Sequence, residues 1–200
     1  MRNTQCSVWL PRVGLAMVIA ALLLDCGALL LDIVLGLRIV DGISVPESDL
    51  ERSSMISGAA NLAVPAAVLV CATLFVWWFY CSYRAIGMRI AARFLPIWAV
   101  VGWAVPGVNL IRPPAIMSEM TGRRETVIGW WMLWIVGAFV QVALRFISPA
   151  NQLGWVYWQI TALTANLVLI VSLTLALSLV ATVDRISKEN DRAEWKLAVH

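Results

Sequence analysis

The stretch WAVPGVNLIRPP, residues 103–114, decides the topology of this chain. It closes an apolar run, FLPIWAVVGWAVPGVNLI (94–111), that has nearly the length of a membrane span. Yet Pro96, Gly102, Pro106 and Gly107 interrupt that run, and each internal proline removes a helical hydrogen bond and clashes with the preceding turn. Read as a crossing, the segment makes five spans; read as a bend, it makes four.

Charge separates the two readings. Runs at 13–37, 57–83, 126–147 and 156–183 each reach the ~20 residues needed to cross ~30 Å of hydrocarbon as a helix. Lysine and arginine favour the cytoplasmic side, above all in short loops. Arg2 and Arg12 precede the first run, and Arg84, Arg89, Arg93, Arg112, Arg123 and Arg124 lie between the second and third. Arg185, Lys188, Arg192 and Lys196 follow the last. Four spans with both termini cytoplasmic place these twelve of fifteen basic residues on one side, leaving Arg38, Arg52 and Arg145 on the other. A fifth span would split the central cluster and send one terminal cluster outward. Residues 94–121 are therefore expected to form a re-entrant or interfacial segment that returns to the cytoplasmic face.

Composition agrees with a membrane protein. Of the 200 residues 61% are hydrophobic and 14% charged, with mean hydropathy +0.82; soluble domains carry roughly 25% charged residues. The expectation is an all-α polytopic membrane protein, one membrane domain over 1–200, with a cytoplasmic helical tail at 184–200 in which Asp184 and Lys188 have helix-supporting i,i+4 order. The outer loop, 38–56, is acidic (Asp41, Glu47, Asp49, Glu51), and Pro46 and Ser48 mark turns. The first run superficially resembles a signal, and AALLLDCG (20–27) a lipoprotein cleavage site. However, Asp25 stands where a small residue is needed and the run resumes to Leu37, beyond the ~7–15 residues of a signal core, so it reads as a retained span.

Cys6, Cys26, Cys71 and Cys81 have no ligand spacing, and His200 is the only histidine. No cofactor and no metal site is expected on imidazole or thiolate ligands. The scattered arginines are explained by topology, so no nucleic-acid partner is expected.

Three neighbouring stretches carry a resemblance: VWWFYCSYRAIG (76–87), WAVVGWAVPGVNLIRPPAIMSEM (98–120) and GWWMLWIVG (129–137). Together they resemble an uncharacterised bacterial membrane family, a domain of unknown function with four predicted helices and a W-x-x-P-x-x-N-L-x-R-P-x-x-x-M-x-E signature. Pro106, Asn109, Leu110, Arg112, Pro113, Met117 and Glu119 match in order, and Trp130 and Trp131 match its tandem tryptophans. Ala104 stands where the pattern has an aromatic, and an asparagine after Arg84-Ala85 is missing. The resemblance implies fold and a bacterial cytoplasmic (inner) membrane location; the family has no activity to lend.

Within the motif, Pro106-Gly107 should end a helix, and the Asn109 amide is expected to stitch the bend. Pro113 biases Arg112 away from helix, and Pro114 suits the first turn of a short helix at 114–121. On it Ile116, Met117 and Met120 form an apolar stripe. Arg112, with Arg123 and Arg124, is placed to meet lipid phosphates, or alternatively to pair with Glu119.

Two acids fall inside the first span. Asp25 lies at its midpoint and Asp32 nearly two turns later on the same face. An aspartate at a span centre costs about 2.5–3.5 kcal/mol, which makes both candidate binding residues. Gln141, Gln159 and Asn166 are candidate partners at similar depth, and Asp32 is near enough to the outer surface to meet water, Arg38 or Arg145. Eleven tryptophans suit an interfacial belt and packing.

The leading functional reading is a non-enzymatic accessory, regulatory or assembly subunit of a larger membrane complex, surrounded by lipid or by copies of itself. A second is a small oligomeric transporter or ion- or proton-linked permease using Asp25. A third, an enzyme acting on lipid headgroups through Arg112 and Glu119, lacks a nucleophile–base pair.

Overall fold

The computed structural model describes residues 7–87, 93–105 and 107–198, without the side chains of 191 and 193–198. Arg2, Cys6, Arg89, Pro106 and His200 lie outside the described residues, as do the side chains of Trp195 and Lys196. Among the described residues the regular structure is helical: α1 (Trp9–Val40), α2 (Glu47–Gly87), α3 (Trp98–Ala104), α4 (Val108–Thr121), α5 (Arg124–Leu144) and α6 (Gln152–Ala198). Four of them, α1, α2, α5 and α6, are long and apolar enough to cross a membrane.

These helices outrun the apolar stretches. The outer loop of 38–56 shrinks to 41–46, because polar residues beyond the apolar run still continue a helix until a stop signal. That signal is Gly42, whose φ of 75° is open to glycine. Its N–H reaches the Ile39 carbonyl (3.1 Å) and the Ile43 N–H reaches Arg38 (2.9 Å), the paired bonds of a Schellman cap. Pro46 then precedes α2, and Glu47 and Asp49 in the first turn suit the helix dipole.

The chain forms two compact units. One comprises Ala16–Leu69 and Met132–Leu173. Its apolar core joins Leu29, Leu144 and Ala162, flanked by Val140, Trp158 and Leu163. Glycines allow close approach there: a Cβ on Gly137 would stand 2.7 Å from Leu169 Cγ, and one on Gly36 would stand 2.6 Å from the Trp155 ring. The Trp158 indole N–H donates to the Leu144 carbonyl (3.1 Å), satisfying the last residue of α5.

The other unit comprises Met1–Leu15, Val70–Trp131 and Thr174–His200. Here α3 and α4 form a helical hairpin turned at Gly107 (φ 81°). Their approach is close: a Cβ on Gly102 would lie 3.1 Å from Arg112 Cβ. Phe75, Phe79 and Trp103 pack beside Trp130 and Trp131, with Trp103 edge-on to Trp131 at 5.5 Å. Trp78, 1% exposed, joins through Phe75. Trp103 thus belongs to the packed cluster, whereas Trp9 (60% exposed) and Trp77 (59%) stand outward as belt residues do.

One local expectation is corrected. The short helix begins at Val108, not at 114, so Pro113 and Pro114 lie inside it and Arg112 is helical. Prolines at these positions deprive the carbonyls of Asn109 and Leu110 of their i+4 donors. The Trp131 indole N–H takes the second vacancy, donating to the Leu110 carbonyl at 3.1 Å. The bend itself is closed by backbone, through Asn109 N–H to the Val105 carbonyl (2.9 Å).

This compensation predicts a measurable coupling. Trp131→Phe should cost about 1–3 kcal/mol in detergent unfolding, as expected when a buried acceptor loses its donor. In a Pro114→Ala background, where a backbone N–H is restored to Leu110, the same substitution should cost clearly less. Equal costs in the two backgrounds would show that the indole does not replace the missing bond.

Candidate functional site

Both acids of α1 find partners on other helices of the Ala16–Leu69/Met132–Leu173 unit. Asp25, half-buried, accepts from Asn166 Nδ2 at 2.7 Å. Asn166, 1% exposed, accepts in turn from Gln141 Nε2 at 2.6 Å. The result is a chain of three side chains from three helices, α1, α6 and α5. Gln141 also donates to the Ala162 carbonyl (3.3 Å).

Asp32 sits seven residues on and is 8% exposed. Its Oδ1 accepts from the Ser53 hydroxyl. Its Oδ2 accepts from Ser57 Oγ (2.8 Å) and Gln159 Nε2 (3.3 Å). The expected partners Arg38 and Arg145 are not used: Ser53 and Ser57 of α2 and Gln159 of α6 approach the carboxyl instead. Ser53 was missed because it precedes the apolar run 57–83, in what reads as loop, and Ser57 because it stands at the run's first position. Their i,i+4 spacing on a helix is the signal that finds them. Beside Asp32 opens a cavity of about 380 Å³, lined also by Leu35, Ile39, Ser53, Ser57 and Trp155.

The motif residues occupy the other unit. Glu119 does not pair with Arg112. Its carboxylate accepts from Tyr83 Oη (3.0 Å) and from the Arg93 backbone N–H (2.8 Å), while Tyr83 Oη accepts from the Phe94 N–H (3.0 Å). Tyr83 is fully buried. Glu119 therefore ties α2, the chain before α3, and α4. Arg112 lies instead over the rings of Phe94 (4.5 Å) and Trp98 (5.2 Å), a cation–π arrangement that holds it against the entry of the hairpin. Asn109 leaves its Oδ1 buried and without a partner, so its side-chain oxygen does not stitch the bend. Ile116, Met117 and Met120 are buried, as their stripe requires.

The geometry thus separates the six candidates. Asp25 and Asn166 form one network, Asp32 anchors a second that borders a cavity, and Glu119 and Arg112 fasten the hairpin by separate contacts. Among the described residues no three His, Cys, Asp or Glu side chains gather as a metal set.

Ranking follows from connectivity. Asn166→Leu and Gln141→Leu each break two hydrogen bonds, but only Asn166→Leu strands the Asp25 side chain. In detergent unfolding Asn166→Leu should be the more destabilising, by about 1 kcal/mol or more, because leaving a polar acceptor without its donor costs about 1–3 kcal/mol. The reverse order would refute this network.

No curated protein and no solved structure matches the chain. A family model does match residues 41–188. That range holds Asn109, Arg112, Glu119 and Asn166, and it begins after Asp25 and Asp32. The chain belongs to the family described as Domain of unknown function (DUF4328).

Proposed function

We propose that the chain is a multi-pass protein of the bacterial cytoplasmic membrane that works, without catalysis of its own, as an accessory, regulatory or assembly subunit of a larger membrane complex. In this reading both termini are cytoplasmic, and the α3–α4 hairpin is re-entrant or interfacial and returns to the cytoplasmic face. The charge distribution supports that orientation, since twelve of fifteen basic residues then share the cytoplasmic side.

The observation that carries the reading is the outward face of α2. Gly58, Asn61, Leu62, Pro65 and Ala66 follow helical i, i+3, i+4 spacing and are all exposed. Nothing approaches the Gly58 Cβ position within 4 Å. Leu62, 76% exposed, suits lipid as well as it suits a partner. Asn61 does not: an amide with no hydrogen-bond partner in the chain loses water near the edge of the apolar stretch and gains nothing from lipid tails. Small residues around a hydrogen-bonding side chain are the composition by which membrane helices associate.

Purification in mild detergent should retain a membrane partner, and Asn61→Leu with Gly58→Leu should release it while the chain stays folded. A wild-type chain that repeatedly elutes alone and monodisperse would defeat the proposal. Permeation through Asp25 has less support, because its carboxylate is engaged by Asn166.

A further inference from the structure

We infer that the cavity beside Asp32 is a binding site for a small organic cation, a primary ammonium on an apolar body. The site lies wholly in the Ala16–Leu69/Met132–Leu173 unit, where α1 ends and where α2 and α6 begin. Its volume of about 380 Å³ falls in the range of small-molecule pockets, roughly 300–1,000 Å³.

Three features select the ligand class. First, Asp32 accepts from two hydroxyls and one amide, all of them neutral, and among the described residues no basic group pairs with it. The cavity wall thus carries an acidic side chain with no basic partner. Secondly, acceptor capacity is left over. Oδ2 takes two donors but Oδ1 takes one, and a carboxylate offers about four acceptor positions. An ammonium brings three donors.

Thirdly, the remaining wall suits an apolar body near a cation. Leu35, Ile39 and Leu50 supply aliphatic surface, and Trp155 supplies an aromatic ring, which attracts cations over its face. Gly36 makes that ring's position possible, since any Cβ there would strike it. Acidic residues also outnumber basic ones over 38–56, with Asp41, Glu47, Asp49 and Glu51 against Arg38 and Arg52. A metal ion is a poorer occupant, because Asp32 is the one carboxylate lining the cavity and no cluster of metal-ligating side chains joins it.

The test is calorimetric titration of the purified full chain in detergent, with detergent blanks. The probes are n-butylammonium and phenethylammonium beside their neutral isosteres, n-butanol and 2-phenylethanol. At least one ammonium should bind, and its isostere should bind at least tenfold more weakly. Asp32→Asn should weaken ammonium binding at least tenfold. Should that variant not fold, Gly36→Ala, which displaces the Trp155 ring, should weaken it several-fold. The inference is overturned if neither ammonium binds, if the isosteres bind as tightly, or if a folded Asp32→Asn retains wild-type affinity.

Discussion

A polar group that leaves water on entering hydrocarbon must find its partner inside the protein. Much of this chain is arranged around that constraint. Two prolines inside α4 strip donors from two carbonyls, and the indole of Trp131 reaches across to Leu110. The Leu144 carbonyl, at the end of α5, is met by the indole of Trp158. Asp25 and Asp32 draw amides and hydroxyls from neighbouring helices. In each case the helix that supplies the donor is fixed in register against the helix that needs it. Such bonds add little net energy one at a time, but leaving any of them unmade is costly, so they specify which packing is allowed.

The hairpin shows the same logic in a more compact form. Its turn needs Gly107 for a positive φ, and its two arms need Gly102 for close approach. Glu119 and Arg112 then hold it by different means, one through hydrogen bonds to Tyr83 and Arg93, the other over aromatic faces. The residues on which the sequence resemblance rested are thus largely residues that build this element. That accounts for a sharp motif without an accompanying reactive cluster.

Long-period information was legible in the sequence. Four apolar runs yielded four span-length helices, and the pairing of Asp184 with Lys188 (2.9 Å) followed from spacing on a helix. Asn166 and Gln159 were readable as partners for the acids because their own seven-residue spacing mirrors that of Asp25 and Asp32. What escaped was anything set by tertiary satisfaction. Local rules start a helix at Pro114, yet α4 runs through both prolines because packing and an indole donor offset the lost bonds. Likewise Ser53 looks like a loop residue until α2 is known to begin at Glu47. Opposite charge suggested Arg38 or Arg145 for Asp32, and proximity gave it neutral donors instead.

Arg12 and Asp184 join through a contact of 3.4 Å across 172 residues of sequence. Exposed pairs of this kind contribute little to stability, but their position sets an order of events during synthesis. The unit built from Ala16–Leu69 and Met132–Leu173 has all its parts once residue 173 has been made. The unit containing Arg12 requires Thr174–His200 as well. At ribosomal speeds of roughly 5–20 residues per second, the start of α1 waits about 10–30 s for its partner on α6. Until then Arg12 lacks Asp184, and Thr174–His200 is the part of this unit that is made last.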